Sequence, residues 1–245
     1  MNTEKTVLLI GASGGLGNHL TNGLAKAGYN LALHYNNSEI KLNQILDSLN
    51  GLNIKYKAYK ADITIEKEVE KMAADIKNDF GGIDILINNA GISINAVSWK
   101  MKTDDWNKVL SVNLTGPFLC TKHVLPVMKE RGWGRVIYMS SVVAQTGVAG
   151  TSAYAATKAG LAGLCKTISK EVVKNGITAN VISLGYFEAG LLFQIPEDIR
   201  SQIKESIPKK EFGDPKEVVE CILYLCSNNS SYITGQIINL NGGLY

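Results

Sequence analysis

The chain has 245 residues, 45% of them hydrophobic and 19% charged, with a formal net charge of +3. A chain of this length can bury a large core, and the composition is that of a globular rather than a disordered protein. The small net charge and scattered basic residues argue against a nucleic-acid binder, and no apolar run approaches the roughly 18–20 residues of a membrane span.

Met1–Thr6 leads straight into Val7–Ile10, a run too short for the core of a signal peptide, so a cytoplasmic protein is expected. Thr6–Ile10 reads as an apolar strand and Leu16–Ala27 as a helix, joined by Gly11-Ala-Ser-Gly14-Gly15-Leu-Gly17. In a strand–turn–helix context, glycines let the backbone approach a pyrophosphate, and the helix N-terminus offers free N–H groups. Asn30–Tyr35 reads as a second strand. A carboxylate at its end would grip the ribose 2′-hydroxyl of NAD. His34-Tyr35-Asn36-Asn37-Ser38 has none to repel a 2′-phosphate, so NADP is expected, with NAD as the alternative. No arginine accompanies these groups, Gly14 carries no charge, and Lys41 is the nearby cation.

A helix is expected over Ser38–Leu49 and a third strand over Ile54–Tyr59. Asp62 follows, either accepting from an adenine amino group or capping the helix that runs to Phe80. Asp84–Ile87 reads as a buried strand ending in Asn88-Asn89-Ala90-Gly91, which can line a cofactor crevice or form a plain turn. A long helix over Asp104–Met128 is expected to kink or restart near Gly116-Pro117. Asn113 inside it must find partners, as a structural amide or as a water anchor beside a lysine. Gly134–Met139 is the fifth strand, with Ser140 and Ser141 at its end.

The following helix, Ser152–Lys174, carries Tyr154 and Lys158 four residues apart on one face. A lysine ammonium beside a phenol favours the phenolate, so the Tyr154 pKa is expected to fall. Ser141 can meet the phenol across a cleft. Two hydroxyls aimed at one carbonyl oxygen, one able to release its proton, suit the reduction of a ketone.

Ile177–Ser183 is the sixth strand, and the loop Leu184–Gly190 is placed to cover a ligand. A short helix after Pro196, a helix over Pro215–Cys226 and a strand over Gln236–Leu240 complete the chain. Strands and helices alternate throughout, which predicts one α/β domain over 1–245 with a doubly wound, mainly parallel sheet of the Rossmann type. Cys120, Cys165, Cys221 and Cys226 form no C-x-x-C pair and read as buried free thiols in a reducing compartment. His19, His34 and His123 show no ligand spacing with them, so no metal is expected.

Taken together, Gly11-x-x-x-Gly15-x-Gly17, Asn88-Asn-Ala-Gly91, Asn113, Ser141 and Tyr154-x-x-x-Lys158 resemble the classical short-chain dehydrogenase/reductase superfamily over nearly the whole chain. The resemblance implies Tyr154 as general acid/base and Ser141 as the group that polarises the carbonyl. It implies that Lys158 lowers the tyrosine pKa and holds the nicotinamide ribose, and that Asn113 holds a relay water. It also implies a cofactor site formed by Gly11, Ser13, Gly14, Gly15, Leu16, Gly17, Tyr35, Asn36, Asn37, Ser38, Asp62, Ile63, Asn89, Ala90, Gly91, Tyr154, Lys158, Gly185 and Phe187.

Asp105–Val109, Trp133-Gly-Arg135, Tyr232–Gln236 and Asn239–Tyr245 are similar to 3-oxoacyl-thioester reductases acting on acyl carrier protein or coenzyme A. That similarity implies a ketone or acyl-thioester substrate, acyl carrier protein as a partner, and a homotetramer paired through the two long helices. Same-family dehydrogenases of secondary alcohols, steroids or sugar alcohols are the alternative, and a dinucleotide-binding regulator without turnover is a further one. Leu184 stands where the family usually has proline, and Ala189, followed by Gly190, where it has threonine. The lost threonine hydrogen bond to the cofactor is worth on the order of 1 kcal/mol.

Overall fold

The computed structural model describes residues 5–245. Met1–Glu4, read above as the lead-in to the first strand, lie outside the described residues. The strands are β1 (Thr6–Ile10), β2 (Asn30–Tyr35), β3 (Tyr56–Lys60), β4 (Ile85–Asn88), β5 (Gly134–Ser141), β6 (Ile177–Leu184) and β7 (Ile237–Leu240). They form one sheet in the order β3-β2-β1-β4-β5-β6-β7, every neighbour parallel.

The helices are α1 (Gly15–Lys26), α2 (Glu39–Asp47), α3 (Glu66–Phe80), α4 (Thr103–Leu110), α5 (Gly116–Arg131), α6 (Val143–Thr146), α7 (Ser152–Val172), α8 (Glu197–Ser206) and α9 (Pro215–Cys226). Successive strand residues point to opposite faces. Leu8 and Ile10 of β1 therefore pack among the side chains of α3, α5 and α7. Val7 and Leu9 pack among those of α1, α2 and α9. Helices thus cover both faces of a fully buried parallel sheet. The strand order turns outward in both directions from β1 and β4, and that reversal is where an open α/β sheet forms its ligand crevice.

Several boundaries differ from expectation by a residue or two, while the expected restart of the long helix at Gly116 is found. β4 starts one residue later, because Asp84 serves as an anchor at its base. The buried Asp84 carboxylate accepts from the Thr6 N–H at 2.8 Å and pairs with Arg131 Nε at 2.9 Å, while its carbonyl accepts from Arg135 N–H. β3 is shifted to Tyr56–Lys60, where it runs beside Leu31–Tyr35. The long fourth helix is divided: a π-helical turn at Ser111–Thr115 separates α4 from α5. Pro117 at the start of α5 has no N–H to continue an α-helical ladder. A side chain at Gly116 would lie 2.7 Å from Ile63, so the backbone packs directly on that residue.

Arg135, 2% exposed, lies at the opposite end of the sheet from the crevice. Its guanidinium donates to the carbonyls of Gly134, Gly176 and Ser227, tying β5 to the residues after α9. Asp84→Ala removes both an ion-pair partner and the acceptor for a buried N–H. It is expected to lower unfolding stability by about 2 kcal/mol, read as a reduced urea midpoint with an unchanged slope.

Candidate active site

The crevice begins at the exit of β1. Gly11 has φ +79°, and a Cβ on it would sit 2.9 Å from the Ala90 Cα, so β1 and β4 leave the sheet with their backbones in contact. Asn89 Nδ2 donates to the Gly11 carbonyl at 3.0 Å and fixes the two exits together. Gly14 is the N-cap of α1, and no side chain caps its first-turn N–H groups. A Cβ at Gly14 would meet only the Gly11 carbonyl, at 3.4 Å. Gly15 is covered: a Cβ there would lie 2.5 Å from the backbone of Gly190, so the loop after β6 reaches over the glycine turn. Gly190 itself has φ +59°.

Asn36 and Asn37 are exposed at the end of β2, Tyr35 and Ser38 are half-buried, and Lys41 is exposed on α2. Asp62 neither caps α3 nor stands free. Its Oδ1 accepts from the N–H and hydroxyl of Thr64, forming a local turn, and α3 starts later, at Glu66. Ile63 beside it is buried against Gly116.

Ser141, Tyr154 and Lys158 converge at the C-terminal ends of the central strands. Ser141 ends β5, and its Oγ accepts from the Val143 N–H at 3.3 Å, leaving the hydroxyl proton free to be donated elsewhere. Tyr154 lies in the first turn of α7 and Lys158 one turn on. The Lys158 ammonium is 5.6 Å from the centre of the Tyr154 ring, and it donates to the Met139 carbonyl at 2.7 Å. Burial pushes the Lys158 pKa down from its ordinary 10.5 to about 8. The expected fall of the Tyr154 pKa is not found. Burial raises it, hydrogen bonding with Ser141 pulls the other way, and the nearby Tyr186 raises it further. Lys158 is bonded to the Met139 carbonyl and is not among the causes of the Tyr154 shift, which desolvation dominates.

Asn113 is fully buried in the π-helical turn, and its amide is committed to the backbone. Oδ1 accepts from the Ile92 N–H and Nδ2 donates to the Ile92 carbonyl, each at 2.8 Å. These bonds make its side chain a clamp on the segment after Gly91. Asn113 and Lys158 nevertheless flank the same spot: a Cβ on Gly91 would lie 3.3 Å from Lys158 Nζ and 3.5 Å from Asn113 Oδ1. Gly185 is pressed against Asn241, and its N–H donates to the Leu240 carbonyl at 2.7 Å. Phe187 is buried and bridges to Gly213.

Two groups at this site carried no sequence motif. Tyr186 follows Gly185 in a loop where an aromatic residue has no periodic meaning. His34 occupies an inward position of the apolar β2, and that burial was its one signal.

A family model described as enoyl-(acyl carrier protein) reductase matches residues 11–245. A 3-oxoacyl-[acyl-carrier-protein] reductase FabG of Staphylococcus epidermidis is 35% identical over 99% of both chains. The FabG of Aquifex aeolicus is 36% identical over 98% of this chain and 97% of its own. The nodulation protein G of Azospirillum brasilense is 38% identical over 99% of this chain and 98% of its own. The chain belongs to the short-chain dehydrogenase/reductase family and is an oxidoreductase whose family uses a nicotinamide dinucleotide. The crevice fits such a group, with open space at Gly14, uncapped N–H groups at the start of α1 and no side chain at Gly91 to crowd Lys158.

The Lys158 shift has a thermodynamic consequence. Between about pH 8 and the unfolded value of 10.5, the unfolded chain holds a proton at this lysine that the folded chain has lost. Its contribution to folding stability therefore rises with pH across that window. Lys158→Met is expected to remove that increment, seen as a difference in the pH dependence of urea unfolding between variant and wild type.

Proposed function

We propose that this oxidoreductase reduces the ketone of a 3-oxoacyl thioester with NADPH. The observation that carries the reading is the meeting of Ser141, Tyr154 and the buried Lys158 at one strand edge beside the glycine turn. Full-length relatives named as 3-oxoacyl-[acyl-carrier-protein] reductases support the substrate class.

The bound dinucleotide supplies the hydride. Gly11–Gly17, the polar end of β2 (Tyr35–Ser38), Asp62–Ile63, Asn89–Gly91, Gly185 and Phe187 are proposed to hold it. Lys158 Nζ has two protons beyond the one on Met139 O, and these face the Gly91 side, where a ribose hydroxyl can accept them. Burial keeps the Tyr154 phenol protonated at neutral pH, the state an acid needs to protonate a developing alkoxide. The Ser141 hydroxyl, held by the Val143 N–H and hydrogen-bonded to the phenol before substrate enters, is proposed to donate to the same oxygen. The reverse oxidation would need the phenolate, the form that burial disfavours. Asn113, by clamping Ile92, is proposed to hold the Gly91 loop away from Lys158. Four free cysteines, three of them buried, support a reducing cytoplasm. Among the described residues, no helix is long and apolar enough to cross a membrane. Phe118 on α5, Tyr224 on α9 and Tyr232 beyond it are exposed and support assembly as a homotetramer.

Tyr154→Phe keeps the ring and removes the proton. Its turnover of acetoacetyl-CoA is expected to fall by roughly 10²–10⁴-fold with NADPH affinity nearly unchanged. Crotonyl-CoA, an enoyl thioester without the ketone, is expected to give no turnover with the wild type. Wild-type rates in the variant would refute the acid assignment.

Cofactor choice is tested separately. Gly14 has an extended backbone and open space around it, so an arginine fits there. Gly14→Arg is expected to tighten NADPH roughly tenfold through a charge-assisted bond to the 2′-phosphate and to leave NADH unchanged, as read in fluorescence titrations.

A further inference from the structure

The proposed reduction makes no use of His34, a 2% exposed imidazole near the end of β2, between β3 and β1. Its ring lies across β2 and touches the strands on either side. From β1, the Gly11 N–H meets Nδ1 at 3.1 Å. Toward β3, Nε2 lies 2.9 Å from the Ala61 carbonyl. Gly11 is the first residue of the glycine turn, and Ala61 immediately precedes Asp62 and Ile63. One side chain therefore ties together two exits of the crevice that no backbone ladder joins, because β1 and β3 are not neighbours.

The partners dictate the tautomer. A backbone N–H can only donate, so Nδ1 must accept, and a carbonyl can only accept, so Nε2 must carry the proton. Protonating the ring would set an N–H against the Gly11 N–H. We propose that His34 is a positioning residue for the dinucleotide. Its neutral Nε2–H form holds the glycine turn in register with the Ala61–Ile63 segment, and cofactor affinity falls when the Nδ1 acceptor is lost or protonated. The inference rests on reading the glycine turn as the dinucleotide site.

The groups facing the ring agree with this. Burial pushes the His34 pKa below its ordinary 6.5, and the bond to Ala61 and the charge of Asp62 oppose that shift without reversing it. From the β1 side the Gly11 amide meets the ring, and Asp62 is the one charged group among the causes of the shift. At neutral pH the ring is therefore uncharged, and the clash arises only in acid.

The test uses two variants of the full chain and NADPH fluorescence titrations from about pH 5 to pH 8. His34→Asn keeps an acceptor near the Nδ1 position, whereas His34→Gln keeps a donor near Nε2 and loses that acceptor. At neutral pH the Asn variant is expected to bind NADPH within about twofold of wild type, and the Gln variant roughly tenfold more weakly. The Gln variant is expected to show a raised KM for NADPH with kcat retained at saturation. As pH falls through the depressed His34 pKa, the wild-type Kd is expected to rise relative to that of the Asn variant, a ratio in which titration of the NADPH phosphate cancels. Wild-type affinity in the Gln variant, or a ratio independent of pH, overturns the inference. If the Gln variant does not fold, the pH dependence of the Asn ratio decides alone. A wild-type protein that binds neither NADPH nor NADH at neutral pH refutes the dinucleotide reading itself and this inference with it.

Discussion

The structure depends on a backbone contact in which Gly11 leaves β1 with φ +79° and lies against Ala90 at the exit of β4. Any side chain at Gly11 would be strained in φ and would collide with that neighbour. This contact closes the bottom of the crevice and lets the first turn of α1 face outward beside Asn89 and Gly91. The loop after β6 then reaches the same turn from the opposite side, glycine against glycine, at Gly15 and Gly190. Where the family resemblance implies a threonine holding the cofactor, this chain has Ala189 and, at Gly190, a second backbone approach. The lid here is defined by packing of main chain on main chain.

Desolvation, more than charge pairing, sets the chemistry of the catalytic candidates. Lys158 is held by one carbonyl in an apolar wall, and its pKa drops to about 8. Tyr154 is driven toward its neutral form by the same burial. A buried lysine with no carboxylate partner is costly in isolation. The side at Gly91, which carries no side chain, is where a ligand can meet the ammonium. The tyrosine and lysine share a helix face, but sharing a face does not make an ion pair.

Much of the architecture was legible in the residues. Alternating apolar strands and amphipathic helices predict a doubly wound parallel sheet, and the seven strands fall at or within two residues of where periodicity puts them. The misses are local. Asp84 looked like the first residue of an apolar strand, because nothing in the sequence shows that Thr6 and Arg131 converge on its carboxylate. Asp62 reads either as an adenine partner or as a cap, and the cap does not form, because its bonds to Thr64 close a turn before the helix begins. The break in the long helix was expected near Gly116-Pro117. The form it takes, a π-helical turn that buries Asn113 just before Gly116 packs on Ile63, has no local signal in the sequence.

The sequence by itself determined the order of strands and helices, the glycine turn, and the presence of Ser141, Tyr154 and Lys158 at strand and helix ends, because periodicity and motif spacing are properties of neighbours along the chain. Tertiary structure alone decided which of these groups meet and in what charge state. The direction of the Tyr154 shift, the commitment of Asn113 to Ile92 and the span of His34 from Gly11 to Ala61 all join residues that are distant in sequence. Desolvation and hydrogen bonding act across space, so spacing along one helix cannot reveal their balance.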